Sequence, residues 1–196
     1  LNISYKLHAS QFQVFSEPAR FVICSAGRRF GKTVLALIDL LAVAFAKPKS
    51  RCWYVAPTYK QAETIAWKML QEMVPKEAIL KKNEVKLEIT LVNGSEIALK
   101  GADNEDNLVG VGLHFVVLDE FSLIKAHVWQ QIIRPMLTDT LGRAIFIGTP
   151  RGKNHFWELW LKGQRHEENY SSYSFKTSDN PYIPKEEIEK AEKELP

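Results

Sequence analysis

The sequence predicts an α/β fold, in which a mostly parallel central sheet is flanked by helices and carries an inserted antiparallel hairpin. Short, continuously apolar runs of the kind buried in parallel sheets recur at 21–26, 115–118 and 143–148. Segments with a helical period separate such runs, as at 34–45 and 59–73. The run 85–91 alternates strictly and is followed by Asn93-Gly94, which indicates the hairpin.

The other predicted elements fill the spaces between these. We expect further helices at 7–15, 129–137 and 156–161, and further strands at 52–57, 95–99 and 170–175. Pro135 lies inside the second of those helices, so that helix needs a kink or an early start. The polar, glycine-rich stretch 101–112 predicts a long surface loop, and the charged segment 185–195 predicts a last helix after a break at 179–181.

Composition favours one folded unit in a reducing environment. The chain has 196 residues with 45% hydrophobic content, enough for a sizeable core. Its formal net charge of +3 and pI near 8.8 lean only weakly towards a nucleic-acid partner. Cys24 and Cys52 lie in or beside predicted buried strands, which favours reduced thiols. Because no apolar run approaches ~20 residues, we expect a soluble intracellular protein without a membrane partner.

The strand at 21–26 leads through a glycine-flanked loop into Gly31-Lys32-Thr33 and a helix. Strand, loop and helix in this order are the context of a phosphate-binding loop, because backbone N–H groups and the first helical turn can then face one anion. Ala26 stands where the usual pattern has glycine. The predicted nucleotide-binding residues are Ala26, Gly27, Arg28, Arg29, Phe30, Gly31, Lys32 and Thr33.

Two side chains of this loop carry specific chemistry. Lys32 would reach the β- and γ-phosphates of ATP, and the Thr33 hydroxyl would ligate the Mg²⁺ that bridges them. The alternative is a glycine loop that only joins a strand to a buried helix.

A second motif follows the strand at 115–118, which ends in Asp119-Glu120. Open α/β sheets place ligands at the carboxyl ends of their strands. There Asp119 would hold Mg²⁺, directly or through water, and Glu120 would polarise the attacking water. An apolar run ending in two carboxylates could also simply open the next loop.

Two more residues are candidates. Thr149 follows the strand at 143–148, where its hydroxyl could sense the γ-phosphate, although a plain turn is the alternative. Gln11 lies on the first predicted helix, and a carboxamide suits the adenine edge because it both donates and accepts. The alternative for that helix is that it only packs Phe12 and Phe15 on the core.

Taken in order, these motifs resemble the ATPase half of tailed-bacteriophage terminase large subunits, the motors that package DNA into procapsids. The resemblance runs over about 7–184 and rests on the glutamine helix and three sequence stretches: Ala-Gly-Arg-Arg-Phe-Gly-Lys-Thr, Val-Val-Leu-Asp-Glu and Ile-Gly-Thr-Pro-Arg-Gly. It implies a P-loop NTPase of the additional-strand, catalytic-glutamate type.

The resemblance also implies residue roles. Gln11 matches an adenine-contacting glutamine, and Arg28 an arginine that acts in cis on the γ-phosphate. Thr149 matches the motif that couples hydrolysis to movement. Lys32, Thr33, Asp119 and Glu120 match the phosphate, magnesium and water-activating residues.

One departure concerns a second arginine. Many members read Leu-Arg-Gly before the Asp-Glu strand, and that arginine is a candidate finger acting on a neighbouring subunit. Here the stretch is Leu-Val-Gly, with Val109 at the centre. Either the trans contribution is absent, or another arginine supplies it, with Arg134, Arg143 and Arg151 as candidates.

The expected function is therefore Mg²⁺-dependent ATP hydrolysis that moves double-stranded DNA, within a homo-oligomeric ring that could be monomeric in isolation. The implied partners are the portal protein and the small terminase subunit, in the host cell cytoplasm. We expect the ATPase domain at 1–177 and the start of a linker or lid helix at 178–196. Members continue into a ribonuclease-H-like nuclease that this chain does not reach, so no nuclease activity is expected.

Two other functions share these motifs. A superfamily-two helicase would need a second RecA-like domain, for which the chain is too short. A nucleotide-gated assembly module would bind without turnover, and the complete set of four chemical residues argues against it.

Overall fold

The structure is a computed structural model that describes residues 5–184, 186–188 and 190. Its described strands form one eight-stranded sheet. They are β1 Phe21–Ala26, β2 Arg51–Ala56, β3 Ile79–Asn83, β4 Glu88–Leu91, β5 Glu96–Gly101, β6 Phe115–Leu118, β7 Arg143–Gly148 and β8 Tyr170–Phe175.

Helices connect most of the strands. The α-helices are α1 Ala9–Phe15, α2 Lys32–Ala46, α3 Tyr59–Ala62, α4 Lys68–Met73, α5 Arg134–Met136 and α6 His155–Gln164. Two π-helical stretches, Glu63–Trp67 and Val128–Ile133, lead into α4 and α5. Short 3₁₀ turns lie at Lys76–Ala78, Glu105–Leu108, Phe121–Leu123 and Thr177–Asp179.

The strand order is β3-β4-β5-β2-β6-β7-β1-β8, and every pairing from β5 to β8 is parallel. The predicted α/β class with its mostly parallel sheet is confirmed. β7 lies between β1 and β6, which is the additional strand that the resemblance implies. Because the strands are parallel, the ends of β1, β6 and β7 meet at one edge of the sheet, where such folds bind ligands.

Alternating side chains give the sheet two buried faces. On one face Cys24, Tyr54 and Val117 pack against α2, whose leucines are fully buried. On the other face Ile23 and Phe146 pack among the aromatic residues of the second cluster. Since both faces are covered, these strands are apolar throughout, which is why the sequence showed continuous runs and not alternation.

The antiparallel extension has three strands, so the prediction of a two-stranded hairpin from 85 is wrong in part. β3 was missed, and β4 begins at Glu88 and not at Val85. The Asn83 side-chain oxygen accepts hydrogen bonds from the N–H groups of Val85 (3.0 Å) and Lys86 (2.9 Å), which forms a turn. Leu87 then has φ +53°. This local side-chain turn breaks the alternating run before it can continue as a strand.

The predicted Asn93-Gly94 turn is confirmed, with Gly94 at φ +83°. Asn93 also donates its amide to the carbonyls of Ala44 (2.9 Å) and Phe45 (3.2 Å). These carbonyls lie in the last turn of α2, where no N–H group of the helix donates to them. The turn therefore also caps the helix that follows the glycine-flanked loop.

Pro135 is accommodated by an early change in helix type. The π-helical stretch Val128–Ile133 leads directly into α5, and the proline is the second residue of α5, so the change from π to α geometry falls immediately before it. The predicted helix over 59–73 is also present, with a π-helical segment at its centre.

Of the predicted tail helix, residues 186–188 and 190 are helical and the rest lies outside the described residues. Cys24 and Cys52 are both buried and free, as expected. Within the described part of the chain, no helix is both long and apolar enough to cross a bilayer.

Asp39 is a carboxylate buried inside α2, with only 3% of its surface exposed. Its Oδ1 lies 3.8 Å from Arg143 Nη1, at the amino end of β7. Arg143 also donates to the backbone carbonyl of Glu17 (3.0 Å). Burial raises the pKa of Asp39 from 3.8 to about 6, and the charge of Arg143 opposes this rise. The carboxyl group is therefore held in an environment that favours its protonated form.

We predict that this group makes the protein less stable as pH rises. The folded-state pKa lies above the unfolded one, so between pH 4 and 6 the folded state holds a proton that the unfolded state releases. The free energy of unfolding should fall across that window, by about 3 kcal/mol from this group, and level off above it. Asp39→Asn should remove that slope in urea denaturation.

Asp106→Asn, at an exposed aspartate, is the matched control and should keep the wild-type slope. An Asp39→Asn variant with an unchanged pH dependence would show that Asp39 does not titrate in this window.

Candidate functional site

The loop between β1 and α2, here called the phosphate loop (residues 26–33), ends at a helix N-terminus whose donors remain available. The N-cap is Gly31, at φ +94°, and it makes no side-chain capping hydrogen bond. The N–H groups of Lys32 and Thr33 therefore lack an intrahelical acceptor. With the positive end of a 15-residue helix behind them, they form a site for an anion.

The segment after β8 holds the middle of the phosphate loop. Thr177 Oγ1 donates to the carbonyl of Arg28 at 2.9 Å, and Asn180 Nδ2 donates to the carbonyl of Arg29 at 2.7 Å. Gly27 also donates its N–H to the carbonyl of Phe175 at 3.1 Å. An added Cβ on Gly27 would stand 2.8 Å from the backbone nitrogen of Thr177, so only glycine fits this approach.

The first helix holds the end of the loop. Gln11 Nε2 donates to the Gly31 carbonyl at 2.9 Å, and His8 Nε2 lies 3.1 Å from the Phe30 carbonyl. Because a carbonyl can only accept, this nitrogen of His8 carries the proton. The Gln11 Oε1 accepts the His8 N–H at 3.0 Å, which closes a capping box.

Four consecutive carbonyls, from Arg28 to Gly31, thus accept hydrogen bonds from side chains outside the loop. With its oxygens bound this way, the loop keeps a fixed path, and the N–H groups of Lys32 and Thr33 at its end remain available to a ligand. Phe30 anchors the same path, buried and stacked on Phe175 with ring centroids 4.8 Å apart.

Gln11 was predicted to contact adenine, and the structure gives its carboxamide a further task. The residue is 3% exposed and uses both its oxygen and its nitrogen within the protein. An adenine contact stays a prediction. His8, Thr177 and Asn180 were not identified from the sequence, because single polar residues far from a motif carry no pattern.

Lys32 is directed into the mouth of the phosphate loop. Its Nζ donates to the carbonyls of Ala26 (2.8 Å) and Gly27 (3.0 Å), and to Thr149 Oγ1 (3.3 Å). Burial lowers the pKa of Lys32, and the nearby charge of Glu120 opposes this change. Its partners are neutral oxygens, so a phosphate would be a far stronger one.

Asp119 is held in place by two donors. Its Oδ1 accepts the N–H of Glu120 at 2.8 Å, and its Oδ2 accepts the hydroxyl of Tyr54. Tyr54 is fully buried, and against the larger effect of this burial the neighbouring Thr33 hydroxyl lowers the pKa of its phenol. Burial, reinforced by Asp119, raises the pKa of Tyr54 well above its usual range, so the phenol keeps its proton. Tyr54 was not singled out from the sequence.

Glu120 has an unusual backbone conformation, left-handed with φ 44° and ψ 46°. That conformation is unfavourable for a residue other than glycine, and such strain tends to persist at functional positions. Its carboxylate faces Thr149, lying 3.4 Å from the backbone nitrogen and 3.3 Å from the hydroxyl of that residue.

The predicted chemical residues therefore converge at one edge of the sheet. Lys32 and Glu120 both reach Thr149, while Thr33 and Asp119 both reach Tyr54. A hydroxyl and a carboxylate are the oxygen ligands that Mg²⁺ prefers, and they lie beside an uncapped helix N-terminus that suits phosphate. The residues present fit a nucleotide with Mg²⁺.

The arginines considered as fingers lie in different places. Arg28 is exposed on the phosphate loop. Arg134 stacks 4.8 Å over the ring of Phe21, at the amino end of β1. Arg143 is bound to backbone oxygens and Asp39 at the amino end of β7. Arg151 is exposed, just beyond Thr149.

Comparisons of sequence and of structure find similar proteins of the same kind. A family model described as terminase large subunit, T4likevirus-type, N-terminal, matches residues 23–194. The chain is 33% identical over 182 residues to the terminase large subunit of Thermus phage G20c, covering 83% of this chain and 38% of that protein. It is 31% identical to the Escherichia phage T5 terminase large subunit, covering 88% of this chain and 40% of that protein. The chain thus spans about two fifths of the curated relatives it matches.

Among solved structures, the large terminase ATPase domain of Thermus phage P74-26 superposes with a TM-score of 0.88 at 29% identity, covering 99% of this chain and 90% of that one. The large terminase of a thermophilic bacteriophage, solved in complex with ATP-gamma-S, superposes with a TM-score of 0.80 at 18% identity, covering 97% and 50%. The Pyrococcus furiosus Hef helicase domain shares the fold more loosely, with a TM-score of 0.57 at 14% identity.

Proposed function

This chain belongs to the terminase large-subunit family, as an N-terminal ATPase domain of a phage packaging motor, and from that premise we propose that it hydrolyses ATP with Mg²⁺ to drive double-stranded viral DNA into a procapsid. The observation that carries the proposal is the convergence of Lys32 and Glu120 on Thr149 at the end of β7. One residue there touches both the phosphate-binding cation and the carboxylate that would activate water.

Each residue has a task that its environment supports. The N–H groups of the phosphate loop and the Lys32 ammonium bind and orient the β- and γ-phosphates. Thr33 and Asp119 would hold Mg²⁺, which would neutralise charge that develops on the phosphates. Glu120 orients a water for attack and accepts its proton. The exposed Arg28 adds positive charge in cis.

Thr149 links these groups physically. Its hydroxyl lies within hydrogen-bond reach of both Lys32 and Glu120, so a movement of Lys32 towards a phosphate would remove one of the two contacts of the hydroxyl that binds Glu120. This supports the assignment of Thr149 as a sensor of the γ-phosphate that passes its state to the movement of DNA.

The assembly follows from the family and not from this chain alone. We propose a homo-oligomeric ring at the portal protein, fed with DNA through the small terminase subunit, in the host cytoplasm. Residues 1–177 would form the ATPase domain and 178–196 the start of a linker towards a nuclease domain. The contacts of Thr177 and Asn180 with the phosphate loop lie on both sides of that boundary.

A helicase-like ATPase and a non-hydrolysing assembly module remain the alternatives. Steady-state ATPase measurements with and without duplex DNA separate the three functions. We expect slow hydrolysis that needs Mg²⁺. A module without turnover would bind ATP and release no phosphate, and a helicase would in addition separate the strands of that duplex in an unwinding assay.

Glu120→Gln should retain ATP binding and lose turnover by at least about 100-fold, because a carboxamide keeps the size of the side chain but accepts a proton poorly. Nucleotide titration and phosphate release measure the two properties in the same sample. Glu77→Gln, at an exposed position, is the control and should hydrolyse at the wild-type rate. Wild-type hydrolysis by Glu120→Gln would mean that another group activates the water.

A trans arginine finger gives a second prediction, because such a residue is worth roughly 10³ to 10⁵ in rate. Arg134 and Arg143 are engaged within the fold, which leaves the exposed Arg151 as the preferred candidate. Arg151→Ala and Glu120→Gln should each be inactive, and a mixture should recover hydrolysis, since each variant supplies what its neighbour lacks.

Mixing Glu120→Gln with Lys32→Ala is the control and should recover nothing, because both lesions lie in the subunit's own site. Arg134→Ala and Arg143→Ala should be tested in the same mixture. Fast hydrolysis by the monomer, independent of protein concentration, would exclude a trans finger.

A further inference from the structure

We propose that Tyr54 is a positioning residue for the magnesium site: its hydroxyl joins the two metal-binding side chains, Thr33 and Asp119, and orients both. The inference rests on the proposed function, because it assigns a task to a side chain behind that same site. The inference goes beyond the proposed function, because neither the sequence motifs nor the ATPase assignment requires a tyrosine on β2.

Strand order brings Tyr54 to this place. β2 and β6 are neighbours in the sheet, and Tyr54 pairs in register with Val117. Asp119 lies two residues beyond Val117, where the side chain projects from the same face. That face packs against α2, whose first turn carries Thr33. The Tyr54 phenol therefore lies on the core side of the space between Thr33 and Asp119.

The hydrogen bonds around Asp119 explain why its carboxylate needs a second donor. Asp119 is 4% exposed, so solvent cannot satisfy both of its oxygens. The Glu120 N–H binds one oxygen and the Tyr54 hydroxyl binds the other. With one donor on each oxygen, the carboxylate plane is fixed and the remaining lone pairs are available to a metal or its bound water. Outer-shell donors of this kind set the orientation of metal ligands.

Thr33 has a complementary requirement. A hydroxyl that offers a lone pair to a metal must direct its hydrogen elsewhere, towards an acceptor. Tyr54 gives its own hydrogen to Asp119, so its oxygen can accept the hydrogen of Thr33, with which it is in contact. In this arrangement Thr33 would donate to Tyr54, and Tyr54 donates to the Asp119 carboxylate. Phenylalanine would break it at both links.

Tyr54→Phe tests this inference because it removes only the hydroxyl. The readout is the affinity for a non-hydrolysable ATP analogue, measured once with Mg²⁺ and once with EDTA, together with Mn²⁺ binding followed by electron paramagnetic resonance. We expect the EDTA affinity to stay the same and the gain in affinity from Mg²⁺ to fall by about tenfold, with weaker Mn²⁺ binding.

Tyr173→Phe is the matched control, since Tyr173 also donates to a carboxylate, that of Glu17, on the edge strand β8. It should leave the gain from Mg²⁺ unchanged. A Thr33→Ala background lacks the metal-binding hydroxyl. There, adding Tyr54→Phe should reduce the gain in affinity from Mg²⁺ clearly less than it does in the wild type, because the two residues act in one chain.

Two results would overturn the inference. One is an unchanged gain from Mg²⁺ in Tyr54→Phe. The other is an equal loss with EDTA and with Mg²⁺, which would make Tyr54 a support for the fold and not for the metal ligands. If wild-type protein gained no affinity from Mg²⁺ at all, the proposed function itself would fail, and that outcome is separate from either of these.

Discussion

The site depends on the hydrogen bonds that hold the carbonyls of the phosphate loop. A loop that binds phosphate must direct several N–H groups to one point, and this path is stable only if the opposing carbonyls find donors. Here Gln11 comes from the first helix and Asn180 from the segment after β8, so both ends of the described chain support the loop. Arg29, at φ +61°, is held in a strained conformation by those contacts, whereas Gly31 takes its φ of +94° without strain. The loop is therefore shaped before a ligand arrives, which lowers the entropic cost of binding.

How far the site could be predicted depends on how local its residues are. Lys32 and Thr33 follow a strand and open a helix, and Glu120 ends a buried strand, so each belongs to a short pattern with one physical meaning. Tyr54 shows the limit of such reasoning. Its strand was predicted, but its contact with Asp119 exists only because β2 pairs with β6, and strand order is not written in a local pattern.

In the fold, too, the elements with a local sequence pattern were predicted and the others were not. Apolar runs and helical periods gave the parallel sheet and most of its helices. The third antiparallel strand was missed because its lysines conceal any alternation, and because the Asn83 side chain turns the backbone within a run that otherwise alternates. A single hydrogen-bonding side chain outweighed a pattern of several residues there. Gln11 also donates to the Gly31 carbonyl of the phosphate loop, a contact between distant parts of the chain that no local pattern predicts.

The central claim is that this loop is a nucleotide site in which Lys32 binds the phosphates. The most direct test is titration of a fluorescent ATP analogue against wild-type protein and Lys32→Ala, with Lys68→Ala, an exposed lysine on α4, as control. The account predicts that Lys32→Ala loses at least about tenfold in affinity, since it removes the half-buried cation at the loop mouth, while Lys68→Ala binds like the wild type. Equal affinity in all three proteins would contradict the account, because the ligand would then bind elsewhere.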